Sequence, residues 1–144
     1  MRTVMLVALL ALGTSAFAQD TSDEIPTERE LREACAFESS GVRECLDKKA
    51  KESEVTLKAA ETAFATAVDR WDADAKYVTQ TRKKLSDAAA AFVKYRAAQC
   101  AWATSLGGGA IGNALEMRRL ACVAELNLRR ADSLQSSAKE LRPR

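Results

Sequence analysis

At 144 residues, 47% of them hydrophobic and only 6% aromatic, the chain is one domain by length, with a modest and alanine-rich core. Its 22 basic and 20 acidic residues give a net charge of +2, too close to neutral for a nucleic-acid-binding surface. Histidine is absent, which removes Ser-His-Asp and Cys-His nucleophilic sites and the usual acid–base group for neutral pH.

Residues 1–18 read as a secretory signal peptide. Arg2 supplies a positive start, Val4 to Leu12 is almost wholly apolar, and Ala16-Phe17-Ala18 offers small residues where a signal peptidase cuts. The apolar run is shorter than the ~20 residues needed to span a membrane. No cysteine follows the cut, so a lipoprotein anchor is not expected, and the destination is the periplasm or the exterior. Removing 18 of the 144 residues leaves 126. Losing Arg2 leaves 21 basic residues against 20 acidic, a charge of +1.

Residues 19–25 are polar and expected to be disordered. The folded domain is expected over 26–140. Thr27-Glu28-Arg29-Glu30 after Pro26 is a capping box and predicts a short helix ending near Phe37. From Val42 to Leu106 there is neither glycine nor proline. Leu46, Ala50, Leu57, Ala60, Phe64, Ala67, Trp71 and Val78 recur at spacings of three, four or seven, an apolar stripe on a helix. The stripe runs on through Leu85, Phe92, Tyr95 and Trp102. Unbroken, this would be a helix of ~65 residues and about 95 Å. A break is expected within Asp72–Thr81, where Asp72, Asp74, Thr79 and Thr81 offer caps. The next helix is then 83–106 and the last 113–139, with Asn113 as N-cap and Glu116 completing a second capping box. Leu115, Leu120, Val123, Leu126, Leu128 and Leu134 supply the last helix's apolar face. Leu141 to Arg144 reads as a frayed end.

Between the last two helices lies Gly107-Gly108-Gly109-Ala110-Ile111-Gly112. It lacks the lysine and Ser/Thr of a phosphate-binding loop and any strand before it, so it reads as a turn that uses positive φ. Cys100 lies seven residues before Gly107 and Cys122 ten after Gly112, which puts both thiols at similar heights on an antiparallel hairpin. Four cysteines allow three connectivities. Cys35–Cys45 and Cys100–Cys122 are preferred, because the midpoints, Ser40 and Ile111, each fall in a turn. Loops of ~10–22 residues stabilise by roughly 3 kcal/mol in the chain-entropy model. With no histidine and no C-x-x-C spacing, neither a zinc site nor any other cofactor is expected. The expected fold is an all-α, disulfide-stapled antiparallel bundle with the hairpin 83–139 at its centre.

Glu52, Glu54, Lys58 and Glu61 read as solvated helical charge rather than a carboxylate pair for catalysis, and no enzyme is expected. Arg96 and Arg130 sit on the far side of the Cys100–Cys122 bridge from the turn and are expected to pair with acids or cap carbonyls inside the bundle. Arg118 and Arg119 are expected at the surface. Trp71 and Trp102 fit core positions by spacing, with Trp102 close enough to the turn to be partly exposed.

The stretch Phe92–Arg130 resembles the LprI-type family of small secreted bacterial proteins, named after a lysozyme inhibitor. The resemblance is carried by Phe92, Arg96 and Cys100 at four-residue steps, by Gly108 and Gly109, and by Cys122, Leu126, Asn127 and Arg130 in C-x-x-x-L-[TN]-x-x-R. Two positions depart from the pattern: the family usually has Trp where Phe92 stands, and Ser or Thr where Ala110 stands. The resemblance implies a protein that binds and inhibits a cell-wall muramidase. A lysozyme cleft presents two carboxylates, and a tip bearing backbone N–H donors with arginines nearby would suit it. The expected contact is therefore Trp102, Gly107, Gly108, Gly109, Ile111, Gly112, Arg118 and Arg119. The alternative is a structural or adaptor protein of the envelope whose helical faces dock other proteins.

Overall fold

The structure is a computed structural model that describes residues 24–110 and 112–144. Residues 1–18, expected to be a signal peptide, residues 19–23 and Ile111 lie outside the described residues. The others form four helices, α1 (Glu28–Cys35), α2 (Val42–Asp69), α3 (Ala75–Ser105) and α4 (Asn113–Glu140). Among the described residues the only extended pairing is a single Trp71–Pro143 bridge. The fold is an all-α bundle with two disulfides.

α1 starts at the Thr27 capping box. The Glu30 amide donates to the Thr27 hydroxyl, and the Thr27 amide donates to the Glu30 carboxylate at 2.7 Å. Ahead of it, Ile25 and Pro26 are half-buried. α1 stops at Cys35, two residues short of Phe37, which is 97% exposed. There the chain turns through Glu38 N–H to Cys35 O and Gly41 N–H to Glu38 O, and Cys35 bonds Cys45 with their Cα atoms 5.7 Å apart. Gly41 has φ +95°, a conformation open to glycine, and opens α2.

The centre of the bundle is α4 against α2, not the α3–α4 hairpin expected from the sequence. These two helices run parallel: Ser53 meets Asn127, Glu61 meets Arg130 and Trp71 meets Pro143, in rising order along both. Leu46, Ala50, Ser53, Leu57 and Ala60 follow steps of four and three along α2, as Leu120, Ala124, Asn127, Ala131 and Leu134 do along α4. The 74-residue offset of the Ser53–Asn127 bond sets these rows level, so Leu46 lies by Leu120 and Ala50 by Ala124. This is the seam of a parallel coiled coil. It divides into a lower cluster with α1 (Leu31, Cys35, Leu46, Ala50, Leu120, Ala124) and an upper one (Leu57, Ala60, Ala131) closed by Phe92 and Leu134. α3 returns antiparallel, and Cys100 is its one fully buried residue among those described. Its stripe was read as core because Phe92, Tyr95 and Trp102 share helical spacing. Phe92 is half-buried, whereas Tyr95 and Trp102 face outward.

The α2–α3 break falls at 70–74, overlapping only the start of the expected range. No glycine or proline makes it. The C-terminal tail does: the Asp72 amide donates to Arg142 O, the Arg144 amide to Arg70 O, and the Arg144 guanidinium to Trp71 O and Ala73 O. The tail read as frayed thus supplies the backbone partners that a helix end lacks. The expected cap of α4 is also displaced. Gly112, at φ +67°, is the N-cap, so Asn113 already lies within the helix, and Glu116 binds Arg119 through both oxygens at 2.7–2.8 Å.

Two outcomes follow from this packing. Ala124 is fully buried beside Ala50, so Ala124→Leu forces the helices apart and lowers stability by about 1–3 kcal/mol in thermal melts. The Thr27 backbone amide, and then its hydroxyl, holds the Glu30 carboxyl below the ordinary 4.5. Its stabilisation of α1 is complete above that ordinary value and is lost as pH falls through the lower folded value. Amide exchange at Thr27 and Glu30 should accelerate on acidification through that range, and Glu30→Gln should remove the carboxylate's part of that pH dependence.

Candidate functional site

Two features of the second half stand out: a buried polar layer and the glycine turn below it. The layer begins at Asn127, which is 0% exposed and therefore needs partners for its amide. Its Oδ1 accepts from Arg96 Nη1, its Nδ2 donates to Ser53 Oγ at 3.0 Å, and Ser53 Oγ donates to Ala50 O at 2.6 Å. The result is one chain of donors from α3 through α4 into α2. A turn higher, Arg130 Nε lies 3.4 Å from Glu61 Oε1, and the guanidinium groups of Arg96 and Arg130 approach the Phe92 ring at 5.7 and 4.8 Å. These are cation–π distances. Arg130 Nη2 is buried without a hydrogen-bond partner.

The turn follows α3 directly. Cys100 and Cys122 are bonded, with Cα atoms 5.6 Å apart, and hold the base of the α3–α4 hairpin. The amides of Gly107, Gly108 and Ala110 donate to Thr104 O, Ser105 O and Gly107 O. Gly108 and Gly112 have φ of +57° and +67°. Gly107 is half-buried: a Cβ there would meet Leu115 Cδ2 at 2.5 Å. Gly108, Gly109 and Gly112 have nothing within 4 Å of where a Cβ would stand. The turn is thus open around Gly108, Gly109 and Gly112 and fixed at its base.

The sequence-predicted residues fall into three places. Phe92, Arg96, Asn127 and Arg130 gather in the polar layer and share it with Ser53 and Glu61. Gly107, Gly108, Gly109 and Gly112 form the tip, and Ile111 lies outside the described residues. Arg118 is half-buried rather than exposed. It lies beside Gly107, with its Nη1 4.0 Å from Glu28 Oε1, because α1 covers that side of α4. Arg119 is exposed as expected but tied to Glu116. Trp102, 59% exposed, stands on α3 before the tip rather than in the core. Leu126 is half-buried on α4. Glu61 is not the free solvated charge that its neighbours suggested. Ser53 was missed, although it fills the gap between Ala50 and Leu57 in the four-three spacing.

The pattern for Lysozyme inhibitor LprI matches residues 33–134. The chain belongs to the LprI lysozyme inhibitor family. Neither the curated proteins nor the solved structures gave a match. The matched span contains both disulfides, the polar layer and the tip, and ends short of the C-terminal tail. Among the described residues no helix is long and apolar enough to cross a membrane, and no cluster of three metal-ligating side chains occurs.

In this LprI family member the motif residues join three helices. Asn127→Ala should cost about 1–3 kcal/mol, because it strands Ser53 and Arg96 together. Ser53→Ala in the same chain should then cost less than it does alone. A double-mutant cycle on melting free energies measures that coupling.

Proposed function

We propose that this protein is an exported binding protein that inhibits a muramidase-type cell-wall hydrolase without covalent chemistry, with the glycine tip 107–112 as its contact. Residues 1–18 serve as the export signal and 26–140 as the binding domain. Membership of the LprI family and the absence of histidine support binding over catalysis. Two disulfides fit an oxidising compartment.

The observation that carries the contact is the emptiness around Gly108, Gly109 and Gly112. Backbone left bare at Gly108, Gly109 and Gly112 is slender enough to enter a cleft, and the bonded base of the turn limits the ordering entropy lost on docking. The expected cradle of backbone N–H donors is reduced, since the amides of Gly107, Gly108 and Ala110 are used within the turn. Occlusion by shape is the stronger mode, with Arg118 as the cation nearest the tip. A mature charge of +1 adds no long-range steering toward a basic enzyme.

Gly109 gives a clean test, because it has open space and no positive φ. Gly109→Trp should leave the melting free energy within about 0.5 kcal/mol of wild type. It should also abolish the slowing of cell-wall lysis in a turbidity assay. Replacing Cys100 and Cys122 together should weaken inhibition by freeing the tip. Unchanged lysis rates with wild-type protein in large excess over several lysozyme classes would reject the inhibitor reading in favour of the envelope adaptor.

A further inference from the structure

The outward side of α3 carries an apolar row that nothing in the bundle uses. Ala88, Ala91, Tyr95, Ala98 and Trp102 are spaced by three, four, three and four residues, and all five are exposed. Tyr95 is 54% and Trp102 59% exposed. A second row of α3, through Phe92, Arg96 and Cys100, is the one that faces α4. A helix that ends its packing at one face ordinarily carries charge on the others, so two apolar rows mark two partners.

We propose that this row pairs α3 with α3 of a second copy, antiparallel, in a weak two-fold dimer. Side-chain size selects the copy and its direction. With the two-fold axis between residues 96 and 97, Tyr95 lies over the partner's Ala98 and Trp102 over the partner's Ala91, and the symmetry repeats both contacts in reverse. Each large ring meets a small residue. A parallel pairing would set ring on ring and alanine on alanine, leaving gaps between. Charge agrees with this register. The row itself carries no charge, and Lys94 at its edge stands near the partner's Ala101, so no like charges oppose along it. The row is about 20–27 Å long. Paired, it would bury on the order of 1,000 Å² in total, the lower end for a specific interface, which fits a dimer that forms only at high concentration.

Sedimentation of the oxidised mature chain from micromolar to near-millimolar concentration tests this. The expected result is a reversible rise from monomer toward twice the mass. Trp102→Glu and Ala91→Arg should each weaken the association by about tenfold or more. Both positions are exposed, so helicity and melting temperature should hold. Mixing Tyr95→Cys chains with Ala98→Cys chains should give a crosslinked heterodimer faster than either variant alone crosslinks. A monomer at every concentration, or a dimer that neither substitution weakens, overturns the proposal. Preferential crosslinking of Tyr95→Cys to itself overturns the register.

Discussion

Asn127 fixes the arrangement of everything above and below it. Most of the seam between α2 and α4 is alanine and leucine, and such a seam can slide by a heptad at little cost. A fully buried amide cannot slide, since losing Ser53 and Arg96 would leave its polar atoms unpaired in a site closed to water. One side chain therefore sets the 74-residue register of two parallel helices and the height of the antiparallel third. The lower cluster fits α1 only at that register. At the same register the C-terminal tail reaches the α2–α3 turn, where its backbone groups are needed.

The disulfides act on what the polar layer leaves unfixed. α3 buries one residue completely, and that residue is a cysteine. Apolar burial alone would hold this helix weakly, because its inward row is mostly half-exposed. Cys100–Cys122 anchors it near the tip, and the Arg96, Arg130 and Phe92 cluster anchors it higher up. Cys35–Cys45 does the same for α1, a helix of eight residues that would be marginal alone. An alanine-rich core buries little area per contact. Crosslinks and a few satisfied polar contacts take the place of bulk.

Local signals in the sequence translated well into structure. The Thr27 capping box, the helical stripe and the glycine turn each depend on neighbours a few residues apart, and each lies where it was read. What failed depends on distant segments. Tyr95 and Trp102 have core spacing, but spacing cannot say which of two apolar rows meets the bundle. The break at 70–74 includes the expected cap Asp74, which is the N-cap of α3, but it begins earlier, at Arg70, where Arg142 and Arg144, some seventy residues on, supply the partners. Asn113 has the residue type of a cap, and the positive φ of Gly112 displaced it by one. Arg96 and Arg130 are expected to meet acids or carbonyls inside the bundle, but spacing alone cannot name the partners: Arg130 meets Glu61, and Arg96 meets the side-chain carbonyl of Asn127. Only the parallel seam, readable through Ser53 in the four-three row, would have placed Asn127 as the centre.

The residues on which the resemblance to the family was read and the residues proposed to touch a partner are largely different sets. Phe92, Arg96, Asn127 and Arg130 lie in the polar layer, and the two cysteines lie beneath the tip, so their likeness to the family speaks for the scaffold. Gly108 and Gly109 belong to both sets, and they offer backbone alone. It follows that a scaffold held this firmly can tolerate changes at Ala110 or Leu106 without losing the fold, since each is exposed. Under the proposed inhibition, selectivity among hydrolases would reside at the edges of the tip, and the bridge beneath it would limit the tip's freedom. Phe92 fits this division: it brings no N–H donor to a layer that already holds a buried guanidinium nitrogen without an acceptor, and it offers the aromatic face that both arginines approach.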